Sequence, residues 1–175
     1  MVIDLTVKDE LEIQLNGAEI EVLPILLKSA THFMLINSFY YNQNERKKKK
    51  LFKKLFIGLE ILLEDTCEYY CITEWPGTVT HESNSRLMVY GAMGEKEREF
   101  FKRNTYKIFE TYANGWDDLT LLKSGRLLFF NCTHEGFGSI FGSKDFLERL
   151  PLKASVSKPE YTNYRVVGEI ISCLR

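Results

Sequence analysis

The longest regular pattern of apolar and polar positions runs from Glu45 to Asp65. There Leu51, Phe52, Leu55, Leu59, Leu62 and Leu63 recur at the helical period and form one face, which predicts an amphipathic helix with a buried stripe. A second helix is predicted over Glu95–Ala113. Its face carries Phe101, Thr105, Ile108, Phe109 and Tyr112, acidic Glu95 and Glu97 sit in its first turn, and Asn114-Gly115 supplies a stop. Residues 25–40 are apolar nearly all round after Pro24, which suits a helix's first turn, so they read as a buried helix, with a strand near the end of the segment as the alternative. A short helix is expected near Lys144–Leu150, ended by Pro151.

Period-two and β-branched runs predict strands elsewhere. Val2–Val7 is one. Leu11, Ile13 and Leu15 alternate with Glu12 and Gln14, and the pattern resumes at Ile20–Leu23 after Asn16-Gly17, a strong hairpin signal. Cys67–Trp75 and Arg86–Ala92 read as a pair joined by a long loop that begins with Pro76-Gly77. Leu119–Lys123 and Arg126–Asn131 read as a hairpin around Ser124-Gly125, and Tyr164–Cys173 as a last strand. Gly136, Gly138 and Gly142 mark a glycine-spaced stretch, one residue too long for a dinucleotide fingerprint and without a βαβ frame. Paired strands with helices between the pairs predict an α+β fold. The expectation is a single domain over residues 1–175, a mostly antiparallel sheet with two or three amphipathic helices packed against it.

Composition changes this picture mainly through charge. A 45% hydrophobic content in 175 residues supports a packed core and argues against disorder. The net charge of −1 excludes a generally basic nucleic-acid binder, yet the charge is polarised. Seven of the nine residues 46–54 are basic. The other 16 basic residues face 24 acidic ones, so the rest of the chain carries about −8. No long uncharged apolar run and no basic-then-apolar leader is found, so the four cysteines are expected as reduced thiols in a cytoplasmic protein.

The basic run has a bland reading, a solvated helix face with lysine stems over apolar neighbours. Two features set it apart. Cations crowd the N-terminal half while Glu60, Glu64 and Asp65 close the helix, opposite to the dipole's preference. Ile57 and Ile61 lie beside Lys50, Lys53 and Lys54, away from the leucine stripe, and Lys49 joins them as a candidate partner contact. Apolar anchors inside a charged rim suit a protein partner. A nucleic acid or an acidic membrane surface is the lesser alternative. Trp116 with Asp117 and Asp118, just past a helix stop, is a second candidate contact, with the indole expected to be partly exposed.

Candidate chemistry is sparse. Cys67-x3-Cys71 and Cys132-x-His134 are the only metal-like spacings. Strand residues four apart stand about 13 Å apart, too far for one ion, so no metal and no cofactor is expected. The densest polar stretch is Asn131–Gly136, where Cys132, His134 and Glu135 form the one candidate catalytic group, at a strand end before glycines. Its bland reading is a buried thiol and a loop histidine. In general character the chain resembles bacterial immunity proteins of toxin–immunity pairs: small, polarised in charge, rich in aromatics and without a catalytic motif. That resemblance implies a non-enzymatic, protein-binding domain that neutralises a cognate toxin. The alternative is a small hydrolase or nucleic-acid-acting enzyme with its site near Cys132, His134 and Glu135.

Overall fold

A computed structural model describes residues 2–15, 20–40, 67–81, 84–104 and 116–171. The proposed helix over 45–65, the Asn16-Gly17 turn and the second half of the helix over 95–113 lie outside the described residues.

The fold is predominantly β, which corrects the α+β expectation. In chain order, β1 is Val2–Thr6 and β2 Leu11–Leu15; helix α1 is Leu23–Ser29; β3 is His32–Tyr40, β4 Glu68–Trp75, β5 Thr78–Val79 and β6 Arg86–Ala92. Helix α2 is Glu95–Asn104; β7 is Trp116–Lys123, β8 Arg126–Cys132 and β9 Phe137–Gly142; helix α3 is Lys144–Leu147, and β10 Asn163–Ile170 closes the described order. The sheet runs β1-β10-β4-β6-β3-β7-β8-β9-β2, with β5 paired to β4. Each neighbouring pair is antiparallel, so that half of the expectation stands.

Two departures explain the excess of strand. Residues 25–40 divide into a short helix and a nine-residue strand. Phe33 and Leu35 on β3 face one core while Met34 and Ile36 face another, so β3 is buried on both sides. A strand buried on both faces shows no alternation and reads like a buried helix. Likewise the glycine-spaced stretch, where the sequence pattern predicts no strand, forms one over Phe137–Gly142; Gly138 is required because a Cβ there would stand 2.6 Å from the Phe130 carbonyl oxygen. The hairpin expected over 11–23 does not form. β2 pairs instead with β9, Ile13 opposite Ile140, and Ile20–Val22 is a 3-10 turn leading into α1. Val22, Leu23, Leu26 and Leu27 recur at helical spacing and are all buried. The helical period prevails over the alternation.

Other expectations are met. Pro24 opens α1, β4 and β6 pair across their long loop, and Ser124-Gly125 turns β7 into β8 with both residues at positive φ. α3 is capped by Ser143.

The two cores define the architecture. One face of the sheet packs under α1 and α2, with Phe33 edge-on to Phe101 of α2. Arg98 of α2 donates to the carbonyls of Leu27 and Ala30, satisfying the C-terminal end of α1. The other face curls on itself into a half-barrel. β10 and β8 are distant in strand order, yet the Tyr164 ring lies 5.3 Å from Phe130 and 5.7 Å from Phe141 of β9. Leu5 and Val7, in and just after β1, join the same interior. The edge of β2 is covered by Ser157, which exchanges two backbone hydrogen bonds with Glu12. Among the described residues no helix is long and apolar enough to cross a membrane.

Candidate functional site

The curl leaves a cleft of about 670 Å³ at the mouth of the half-barrel. Its walls are aromatic, contributed by Trp75 at the end of β4, Phe130, Phe137 and Tyr164. Its charged residues are Glu12, Glu74 and Glu160 against Arg165, an excess of acid. Burial raises the Tyr164 hydroxyl pKa above its ordinary value, and the negative charges of Glu12 and Glu160 add to the shift.

Glu12 is the unusual member. Its neighbours Leu11, Ile13 and Leu15 pack into the helix-covered core, so alternation turns Glu12 toward the half-barrel's interior. It is only 3% exposed. Its Oε1 accepts a hydrogen bond from the Ser139 hydroxyl. Its Oε2 is buried with no hydrogen-bond partner among the described residues. A buried carboxylate oxygen left unpaired is costly, and such groups in native proteins call for a reason. An ammonium or guanidinium group entering the cleft would supply one, with aromatic faces available to the same cation.

The Pro76-Gly77 turn, with Gly77 at φ +85°, folds β5 back on β4. This hairpin is a partition. Trp75, Gly77, Thr78 and Val79 line the cleft on one side and a second cavity of about 380 Å³ on the other. Asn37, Asp117, Asp118, His134 and Glu135 reach that second cavity.

The turn after β8 is locked from several directions. Asn131 accepts from the Leu119 amide at 2.7 Å and donates to the Thr133 hydroxyl, which donates to the Asp117 carbonyl. Asp118, 4% exposed, accepts from the Trp75 indole N–H at 2.9 Å and from the Thr133 amide at 2.8 Å. Burial raises its pKa, against those hydrogen bonds and the neighbouring His134. Cys132 Sγ lies 3.5 Å from His134 Nδ1 and 3.4 Å from Thr78 Oγ1. His134 Nε2 is 3.7 Å from Glu135, and both side chains are more than half exposed.

Cys132, His134 and Glu135 are therefore adjacent, and His134 lines a cavity with a thiol in reach. The arrangement does not activate the thiol. Cys132 is fully buried, and burial together with the charges of Asp118 and Glu135 pushes it up to about 11. A nucleophilic cysteine needs exposure and a lowered pKa. Asp118, Cys132 and His134 do present one donor atom each within 4.8 Å of one another, a grouping able to hold a metal ion. Among the described residues Cys67 and Cys71 belong to no such cluster; Cys71 lies within β4 and Cys67 just before it.

Of the expected partner contacts, Lys49, Lys50, Lys53, Lys54, Ile57 and Ile61 lie outside the described residues. Trp116 is fully buried in the helix-covered core, so its expected exposure is corrected: β7 starts at Trp116 and turns the indole inward. Asp118 is buried, and Asp117 is half-buried at the second cavity. Glu12 and Tyr164 were not foreseen. No local signal could have found Glu12, since an acid on the polar side of an alternating strand reads as solvent-facing. Comparison with family models, curated proteins and solved structures returned no match.

Proposed function

We propose that this chain is a non-enzymatic protein-binding domain whose half-barrel mouth receives a positively charged segment of its partner. The single observation that carries the reading is Glu12, a buried carboxylate with an unpaired oxygen in an aromatic cleft with an excess of acid. Charge complementarity selects a lysine or arginine side chain as the occupant, flanked by apolar residues against Phe130 and Phe137. The most concrete form is an immunity protein that covers the basic active site of a cognate toxin. A cytoplasmic location accords with the free thiol of Cys132.

The enzymatic alternative at Cys132, His134 and Glu135 is disfavoured by the buried, protonated thiol. The reading in which residues 46–54 contact nucleic acid or an acidic membrane rests wholly on residues outside the described ones.

The test is titration of the full chain with a short synthetic peptide of alternating lysine and leucine, and with its glutamine–leucine counterpart. The lysine peptide should bind and shift the amide resonances of Glu12, Ser139 and Tyr164, and the glutamine peptide should not. Glu12→Gln should weaken binding by about ten-fold, the worth of one charge-assisted hydrogen bond at about 1.5 kcal/mol. Equal binding of both peptides, or shifts confined to residues away from the cleft, would overturn the reading.

A further inference from the structure

Beside the cleft, on the far side of the β4–β5 hairpin, three side chains of different chemistry converge. Asp118 comes from β7, Cys132 is the last residue of β8, and His134 stands in the turn that follows. Each offers one donor atom within 4.8 Å of the others. Cys132 Sγ stands 3.5 Å from His134 Nδ1. In a tetrahedral zinc site, bonds of about 2.3 Å to sulfur and 2.1 Å to nitrogen set those two donors about 3.6 Å apart. The spacing already matches.

We propose that Asp118, Cys132 and His134 form a binding site for a tetrahedral divalent transition metal, with zinc the best match. A thiolate, an imidazole and a carboxylate together favour zinc over magnesium or calcium, which take oxygen donors. The donors are also held in place. Asp118 is oriented by the Trp75 indole and the Thr133 amide, as outer hydrogen bonds commonly fix metal ligands. His134 is the exposed member and can turn its ring toward the ion without disturbing the core.

Charge favours the same conclusion. Asp117, Asp118 and Glu135 surround the second cavity, with Arg86 as its one basic lining residue among those described. Binding exchanges a proton for a metal: the Cys132 S–H bond breaks, the proton leaves to solvent, and a sulfur–metal bond forms. No oxidant or reductant is needed. Since Asp118 and His134 both line the second cavity, a fourth position there would be filled by water or by a small anion. This inference does not depend on the peptide-binding reading, because none of the three residues lines the larger cleft.

The experiment uses the full chain, reduced and stripped with a chelator, then titrated with cobalt(II) as a spectroscopic stand-in for zinc. A sulfur-to-cobalt charge-transfer band and tetrahedral visible absorption should appear and saturate at one ion per chain, and zinc should bleach both. His134→Ala, a change at an exposed side chain, should weaken cobalt binding at least ten-fold. Cys132→Ser should abolish the charge-transfer band, whereas Cys67→Ser should leave it intact. Absence of the band at stoichiometric cobalt, its survival in Cys132→Ser, or its loss in Cys67→Ser would overturn the proposal. An unchanged affinity in His134→Ala would do the same, and that variant leaves the buried residues in place.

Discussion

The indole N–H of Trp75 donates to Asp118 Oδ2 at 2.9 Å across 43 residues of sequence. This bond ties the β4–β5 hairpin, the wall between the two cavities, to strand β7. It also gives a buried carboxylate one of its two donors. Trp75→Phe keeps an aromatic wall and removes the donor, leaving an Asp118 oxygen without that partner. The expected loss is about 1–3 kcal/mol, the cost of an unsatisfied buried polar group. Urea denaturation of the variant measures it. A loss of a few tenths of a kcal/mol would mean that water replaces the indole.

Glu12 should trade stability for binding. A buried carboxylate with one unpaired oxygen carries a desolvation penalty that a neutral amide largely avoids. Glu12→Gln should therefore raise stability by about 1 kcal/mol while weakening the lysine peptide. Chemical denaturation and peptide titration of the same sample separate the two effects. If the variant is markedly less stable, Glu12 is a structural residue and its free oxygen has no bearing on ligands.

How much could be read in advance depends on whether local pattern and tertiary placement agree. The Ser124-Gly125 turn was legible because its residues suit the positive φ that a tight hairpin needs, and Arg86–Ala92 because its apolar run is short and bounded by polar and glycine residues, although Leu87 and Val89 face one core and Met88 the other. Residues 32–40 were not, because burial of Met34 and Ile36 on one face and of Phe33 and Leu35 on the other erases the alternation. The candidate site was half legible. Cys132 and His134 stand together by sequence, two residues apart. Asp118 joins them only because β7 pairs with β8, and Glu12 meets Tyr164 only because the sheet curls. Register and curl are properties of the whole sheet, with no signature in any short window.

Gly138 follows from that closeness of strands. A methyl group there would meet the Phe130 carbonyl oxygen at 2.6 Å and the Asn131 Cα at 3.2 Å, both backbone atoms. Neither can turn aside as a flexible side chain would. Gly138→Ala should cost about 1–3 kcal/mol, as overpacking does, and should distort the β8–β9 ladder beside the cleft. Gly125→Ala is the contrast: nothing lies within 4 Å of its Cβ, and only the positive φ of 80° opposes it. Thermal denaturation of the two variants should therefore rank Gly138→Ala as the more damaging. The reverse order would show that β9 can move away from β8.

The last expectation concerns alkaline pH. Tyr69 and Tyr70 on β4 are both pushed up to about 12, chiefly by burial; the Cys67 charge adds to the first, and the hydrogen bond to Glu68 adds to the second. Unfolded tyrosine titrates near pH 10. A folded pKa above the unfolded one means that the neutral form is favoured in the native state. The associated stability is fully present below pH about 10 and is lost as pH rises through about 12. The melting temperature should therefore fall steeply across that window, and tyrosinate absorbance should grow together with loss of the β-sheet circular dichroism signal. Tyr70→Phe should start about 1 kcal/mol less stable at neutral pH, having lost its bond to Glu68, and should lose less on going to pH 12. Ordinary titration of these tyrosines near pH 10 with the sheet signal intact would show that the phenols on β4 are open to solvent.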